Sequence, residues 1–492
     1  MMNSYIFNHD YVLRHDQKRT YIIQRHAYNG NIRDWAEMVH PVQAMILSFF
    51  SKPKLYDVVL GEIAVFLDMT IEKVTEIITP FLEAKEDVYT EYEGHKFSIP
   101  NNILIEASTN KAPIREYNVE EFLYEEGDFV SKRFYDAPLN MTYMPSNTCV
   151  TDCIYCYADK ESKPGPQLTI ERLKEIVDEA KELNIMRFNL VGGEIFTFPK
   201  WLEFLTYIKK NDFFVERLST KVPLKEKDIA NLKAIGIYQV QISLDTLIPE
   251  NLSKILRTRP EYVEEMKKTI SLFSAYGFDT TIASVLVPLN CNMENMLSIY
   301  NFIKDLPNIT AWSLRPAFPS IYKEASADFV PSKKQIEDLF EAVEALKAEE
   351  KVHIDYDKTF LERGYVSAEG GSKNFEGAEC SSNRSHIFVL PDGKVTICEQ
   401  LYWKPHFIVG DLTHQSIKEV WNSERTMWFY NLEAAQLSDS NPCKTCDIFK
   451  ECYRNMNRCW AEVVKAYGDE HWDYPDPRCK LAPEMKTNLI YQ

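Results

Sequence analysis

The sequence predicts an α/β fold: an open, partial barrel of six βα units, with a winged-helix-like module before it and a cysteine-rich module after it. Three observations carry that expectation. Between residues 138 and 350, β-branched apolar runs alternate with amphipathic stretches, the pattern of parallel strands joined by right-handed helical crossovers. The first 110 residues hold no cysteine and combine three helical periodicities with a hairpin signal. Seven of the 11 cysteines lie after position 379.

At 492 residues the chain is too long for one core, and roughly three domains are expected. The boundaries read as 1–110 for the first module, 111–137 for a linker, 138–350 for the barrel, 351–379 for a bridging segment and 380–492 for the cysteine-rich end. A balance of 56 basic against 73 acidic residues, −17 in all, argues against a general polyanion binder. The start, Met-Met-Asn-Ser-Tyr, lacks the basic and apolar pattern of a signal peptide, and no apolar run reaches the roughly 18 residues a membrane span needs. The expectation is a cytosolic protein without membrane or nucleic-acid partners. In that compartment thiols stay reduced, so the cysteines are expected to hold metal rather than form disulfides. Cys291 stands alone and reads as a small buried hydrophobe.

In the first module, Tyr5 to Phe7, Tyr11 to Arg14 and Tyr21 to Arg25 are short aromatic and β-branched runs, read as strands. Helices are expected over Pro41 to Phe50, Leu55 to Leu67 and Ile71 to Ala84, the last with Thr70 as its N-cap. Val88 to Tyr92 and Lys96 to Ile99 flank Glu93-Gly94, a hairpin turn. Three helices and a wing most often bind DNA. Here, however, residues 1–110 carry 10 basic and 15 acidic side chains, a net of −5, and the third helix presents Glu72, Glu76 and Glu83 against Lys73. Phosphate would be repelled by that helix. The arrangement instead resembles the PqqD-type peptide recognition element fused to peptide-maturing enzymes, which captures a leader peptide as an added strand.

In the barrel, strands are expected at Leu139 to Met144, Arg187 to Val191, Glu216 to Ser219, Tyr238 to Leu244, Thr280 to Val287 and Ile309 to Leu314. Helices are expected at about 169–183, 200–210, 225–234, 261–276, 295–305 and 332–348. In such folds the reactive end is where strands meet the following loops. Directly after the first strand comes Cys149-Val-Thr-Asp-Cys153-Ile-Tyr-Cys156. Three thiolates on one tight loop can hold three corners of a [4Fe–4S] cube and leave the fourth iron open. A zinc site is the plainer alternative, but structural zinc needs four ligands and nothing nearby supplies the fourth. With Tyr155 before the last cysteine, the pattern C-x-x-x-C-x-aromatic-C resembles the radical S-adenosylmethionine (radical SAM) superfamily. The resemblance implies a free iron that chelates SAM, whose cleavage yields a hydrogen-abstracting 5′-deoxyadenosyl radical, with an electron donor such as flavodoxin or ferredoxin.

Later strand ends fit the same resemblance. Gly192-Gly193-Glu194 follows the second strand, where glycines let backbone approach a ligand and a carboxylate can accept from an ammonium. The family pattern continues with proline, and this chain has Ile195. Ser219 and Lys221 end the third strand and Ser243 and Asp245 the fourth, where relatives contact the SAM ribose, carboxylate or methionine moiety. Arg257 resembles the arginine that pairs the SAM carboxylate, with Arg259 its near competitor. Asn292 and Arg315 are further candidates, equally explained by capping or surface pairing.

The C-terminal cysteines run Cys380, twelve residues, Gly393, four residues, Cys398, then Cys443-x-x-Cys446, Cys452, Cys459 and Cys479. By spacing, zinc would also suit. Together with Val409-Gly-Asp411 and Ser416 to Asn422, the run resembles the SPASM extension, which carries auxiliary iron–sulfur clusters. The resemblance implies one cluster on Cys380, Cys398 and Cys459, and another on Cys443, Cys446, Cys452 and Cys479. Two features depart from it: no cysteine precedes Cys380 closely, and six residues rather than three separate Cys452 from Cys459. Three protein ligands leave the first auxiliary cluster with an open iron or another nuclearity. Glu399 takes the position of an acidic residue near the substrate radical in sulfatase-maturing relatives, suited to accept a proton as an electron leaves. The expected activity is oxidative modification of a ribosomally made precursor peptide with a leader, as a thioether or carbon–carbon crosslink. The alternatives are a sulfatase-type maturase and, in another class, an iron–sulfur redox-sensing DNA-binding regulator.

Overall fold

The computed structural model describes the chain except residues 1–3, 26–35, 85, 93–94, 124–126, 129–130, 132, 216–217, 324–327, 357, 359–360 and 362–379. Its contacts divide it into two units, Met1–Asp136 and Ala137–Gln492.

The first unit runs β1 (Ser4–Phe7), β2 (Tyr11–His15), β3 (Thr20–Gln24), β4 (Ala36–Val39), α1 (Pro41–Ser48), β5 (Lys54–Leu55), α2 (Tyr56–Leu67), α3 (Ile71–Glu83), β6 (Val88–Tyr92), β7 (His95–Ile99) and β8 (Leu104–Glu106). β1 pairs antiparallel with β5 and β8, β2–β3–β4 form an antiparallel meander, and β6–β7 form the expected hairpin, whose Glu93-Gly94 turn lies outside the described residues. Thr70 caps α3 by accepting from Lys73 N at 3.3 Å, as its position predicts. The three helices bury Ile46, Leu47, Val59, Ile63, Val74 and Ile78 against Phe7 and Ile22. The segment read as a linker folds back onto this unit. Phe122 and Tyr117 enter the same core, and the buried Asp16 carboxylate accepts from Tyr135 N at 2.7 Å and Asp136 N at 3.2 Å. What the mixed polarity concealed is a pairing at long range: Arg19, also buried, bonds Asp16 and the carbonyls of Ser131 and Arg133.

The second unit alternates as the sequence predicts: β9 (Asn140–Tyr143), α4 (Ile170–Glu182), β10 (Arg187–Leu190), α5 (Trp201–Lys210), β11 (Leu218–Thr220), α6 (Glu226–Ala234), β12 (Gln239–Ser243), α7 (Pro249–Leu256), α8 (Tyr262–Ala275), β13 (Asp279–Leu286), α9 (Met293–Ile303), β14 (Ile309–Pro316), α10 (Lys333–Lys347) and β15 (Ile354–Tyr356). β9 and β10 pair in parallel, as do β11 through β15 in chain order. An isolated parallel bridge, Arg187 to Phe214, continues from β10 toward β11. Outward-facing apolar residues such as Phe188 pack on the helices, here on Phe204 of α5 at 5.8 Å between rings. Helix α7 and the short β15 escaped the sequence reading; α7 is only eight residues long and opens on Pro249.

The cysteine-rich end adds β16 (His386–Val389), β17 (Lys394–Thr396), β18 (Ile408–Asp411), α11 (Ile417–Trp421), α12 (Glu424–Tyr430), α13 (Phe449–Arg454) and α14 (Trp460–Tyr467). β16 lies parallel to β9, with His386 opposite Asn140, and β17 and β18 follow antiparallel, so one five-stranded sheet runs β10–β9–β16–β17–β18. The barrel and the cysteine-rich module are thus joined by main-chain hydrogen bonds. Most of the expected bridging segment, 351–379, lies outside the described residues.

Candidate active site

A cavity of about 650 Å³ opens where β9 to β14 meet their following loops. Cys149, Cys153 and Cys156 line one side of it, and Cys459 lines another. The cysteine loop is shaped locally: the Thr151 hydroxyl lies 3.3 Å from Cys149 Sγ and 3.4 Å from Cys153 Sγ. It is also pinned to the end of α7, where Asp152 N and Ile154 N donate to Leu256 O and Ile255 O at 3.1 and 3.0 Å.

Gly192 and Gly193 line the cavity, and the cysteine loop itself requires them. Gly192 has φ +119°, and a Cβ on Gly193 would stand 2.0 Å from Thr148 O. Gly193 N donates to Ser146 O at 2.7 Å and Glu194 N to Thr148 O at 3.0 Å, locking this turn against the loop. Glu194 is buried at the cavity wall; its carboxylate accepts from Thr220 Oγ1 at 3.0 Å, Lys221 N at 3.2 Å and Phe196 N at 3.2 Å. It therefore ties the end of β10 to that of β11. Burial pushes its pKa up against these bonds.

Ser219 and Ser243 line the cavity, as does Gln241, whose amide donates to Ser219 Oγ at 3.0 Å. The sequence reading passed over Gln241, although the alternation Gln239-Val-Gln241-Ile-Ser243 marks one polar face of a strand. Asp245 sits elsewhere than expected. It is fully buried behind the wall, where Oδ2 accepts from Tyr155 OH at 2.6 Å and Lys221 Nζ at 3.1 Å and Oδ1 accepts from Val285 N at 3.0 Å. With both oxygens engaged it braces Tyr155 and Lys221, which do line the cavity, instead of meeting a ribose. Burial, and then the Asp245 charge, hold the Tyr155 phenol well above its usual pKa. Arg257 is a second correction. Its φ of +53° ends α7 and turns the guanidinium outward onto Asp152 at 2.6 Å, outside the residues lining the cavity. Arg259 pairs with Glu265, and Asn292 caps α9 through Asn295 N at 3.1 Å. Arg315 does reach the wall, as do Lys160, Gln400 and Lys465, none of which a local motif announces. Cys291 is buried away from the site, and burial pushes its thiol up to about 12.

The C-terminal thiols lie in two neighbourhoods, which match the two groups the resemblance implies. Cys459 and Cys380 are near enough to raise the Cys398 thiol further after burial has raised it. Cys452 feels Cys443, Cys479 and Cys446 in the same way. A small void is lined by Cys443, Cys452 and Cys479 together with Arg458, which donates to Cys443 Sγ at 3.2 Å. Among the described residues no three His, Cys, Asp or Glu side chains close in to the spacing of a single metal ion. Sets of three and four thiols are the ligand sets that iron–sulfur clusters take. Glu399 follows Cys398 and lies against Tyr157, a cavity-wall residue whose phenol it raises. Its own pKa is raised by burial.

The family model described as the Radical SAM superfamily matches residues 143–303, and that of an iron–sulfur cluster-binding domain, SPASM, matches 380–447. A probable GTP 3',8-cyclase of Methanothermobacter thermautotrophicus is 22% identical over 51% of this chain and 80% of its own. The PqqA peptide cyclase of Gluconobacter oxydans is 21% identical over 70% of this chain and 91% of its own. Among solved structures, Streptococcus suis SuiB bound to S-adenosylmethionine superposes with a TM-score of 0.62 at 15% identity, covering 96% of this chain and 99% of SuiB. SuiB bound to its precursor peptide SuiA gives 0.61 at 14% identity over 97% and 100%. At those identities the likeness is one of fold.

Proposed function

We propose that this chain, which carries a radical SAM domain followed by a SPASM domain, oxidatively modifies a ribosomally made precursor peptide, forming a thioether or carbon–carbon crosslink. One observation carries the reading: a single cavity is walled by Cys149, Cys153 and Cys156 and by Cys459, so one substrate can face both sulfur sites. When bound, a [4Fe–4S] cluster with SAM supplies a hydrogen-abstracting radical, and auxiliary clusters supply electron acceptors. Cys149, Cys153 and Cys156 would hold the first cluster, Cys380, Cys398 and Cys459 one auxiliary cluster, and Cys443, Cys446, Cys452 and Cys479 the other. Ser219, Gln241 and Ser243 offer hydroxyl and amide groups to a ribose. Lys221, steadied by Asp245, offers the ammonium that Arg257 does not bring to the wall. Glu399, half-buried beside Tyr157, would take a proton from substrate.

Two features favour a peptide over a nucleotide substrate. The match to the peptide cyclase covers 70% of this chain, whereas that to the nucleotide cyclase covers 51%. SuiB, solved with its precursor peptide, shares the fold over nearly the whole chain. Met1–Asp136 takes the leader at a sheet edge, where main-chain hydrogen bonds tolerate sequence variation. A flavodoxin or ferredoxin delivers the reducing electron. No helix among the described residues is long and apolar enough to cross a membrane, and the enzyme works in the cytosol.

The test is anaerobic incubation of the reconstituted enzyme with SAM, reductant and the short peptide encoded beside it. The expected result is a peptide lighter by two hydrogens, with 5′-deoxyadenosine formed. SAM consumption with every such peptide unchanged would sink the reading. Removal of residues 1–136 should abolish turnover of the full precursor; unchanged turnover would point to a maturase that needs no leader.

A further inference from the structure

Next to the active-site cavity the local charge is opposite to that of the molecule. Beside the cavity, and sharing Pro319 and Lys465 with its wall, lies a cleft of about 270 Å³. Four of the residues lining it are lysines: Lys323, Lys404, Lys465 and Lys486. In a chain with a net charge of −17, such a concentration is local.

These lysines do not come from one solvated helix face. Lys323 lies in the loop after β14, Lys404 in the turn after Cys398, Lys465 on α14 and Lys486 on the C-terminal tail. Four separate segments place an ammonium at one opening. The carboxylates facing them are fewer or shared. Asp469 pairs with Lys404 at 2.6 Å and Glu470 with Lys486, while Asp152 is divided among Arg257 at 2.6 Å, Lys160 at 2.9 Å and Lys323 at 3.7 Å. Lys465 Nζ donates to the neutral Gln400 Oε1 at 2.8 Å and stands over the Phe318 ring. A cleft lined by four lysines against the single carboxylate of Asp469 concentrates anionic ligands.

We propose that this cleft selects peptides bearing carboxylate side chains close to the residue modified. The inference rests on the peptide-maturase reading and names its substrate class. Helix geometry adds a register. Cys459 and Lys465 both line the cavity from α14 and its N-cap, six residues apart, a rise of about 9 Å. An extended peptide advances about 3.3 Å per residue. The preferred Asp or Glu therefore falls about three positions from the side chain that lies beside Cys459.

The experiment uses the full chain with its clusters reconstituted and two fluorescein-labelled peptides, one of Gly, Ser, Tyr and Glu, the other its Gln counterpart. Fluorescence anisotropy at low salt should show the glutamyl peptide binding about tenfold tighter, with the preference fading as salt rises. Lys323→Glu combined with Lys486→Glu should erase the preference, and Lys404→Gln alone should weaken it. Lys227→Glu, on the exposed face of α6, should keep it. Circular dichroism and iron content of each variant confirm folding. Equal binding of the two peptides, or a preference surviving the double variant, would overturn the proposal. Displacement of the glutamyl peptide by inorganic phosphate at concentrations where acetate leaves it bound would overturn it in favour of a phosphate ligand. These outcomes separate from those of the mass test: a precursor that loses two hydrogens while both probes bind alike sinks the cleft and leaves the maturase.

Discussion

The two sulfur sites that face the cavity are built in opposite ways. Cys149, Cys153 and Cys156 lie within eight residues, on a loop held by its own threonine and by the turn Gly192-Gly193. Cys380, Cys398 and Cys459 are gathered from a bridge beside β16, the end of the β16–β17 hairpin and the N-cap of α14. The first site depends on a local conformation. The second exists only when the sheet and α14 have assembled, and its geometry is that of the packed module.

Perturbation should separate the two. Replacing Cys149, Cys153 and Cys156 by Ala is expected to abolish SAM cleavage, measured as 5′-deoxyadenosine; product at the wild-type rate would refute the assignment. Cys459→Ser should remove about one cluster's iron and cut peptide oxidation about a hundredfold while SAM cleavage persists. Loss of both activities together would mean the sites are not independent. Gly193→Ala forces a methyl against Thr148 O, and strain of this kind costs about 1–3 kcal/mol. SAM affinity and iron at the first site should fall, with auxiliary iron retained. Asp245→Asn removes the carboxylate from Lys221, and breaking a buried pair costs about 3 kcal/mol in unfolding free energy. A weaker SAM affinity should accompany it. Arg257→Ala, an exposed pair, should cost under about 1 kcal/mol and leave SAM affinity within about twofold. A large loss there would restore Arg257 to the site.

The same contrast explains what could be read beforehand. The strands at β9 to β14 and their helices carry their period in sequence, so their alternation was legible. The cysteine loop and the Gly192-Gly193-Glu194 turn were legible as motifs, although the packing of the glycines against the cysteine loop was not. Asp245 and Arg257 were misplaced because sequence position at a strand end does not fix which way a side chain turns. One is drawn behind the wall by Tyr155 and Lys221, and the other outward by Asp152. Residues 111–136 read as a linker because their partners, Asp16 and Arg19, lie more than a hundred positions earlier. Lys160, Gln400 and Lys465 share no motif, and only the folded cavity brings them together.

The pairing of β16 with β9 also has a consequence for how the chain is made. Asn140 waits for His386, and at about 5–20 residues per second the ribosome needs about 12–50 s to supply it. During that interval β9 has an open edge, the kind of edge that invites pairing with another chain. A nascent barrel, already presenting Cys149 to Cys156, must therefore be shielded until about the last fifth of the protein emerges. Expression slowed or truncated before residue 386 should yield aggregates rather than a soluble, half-built enzyme.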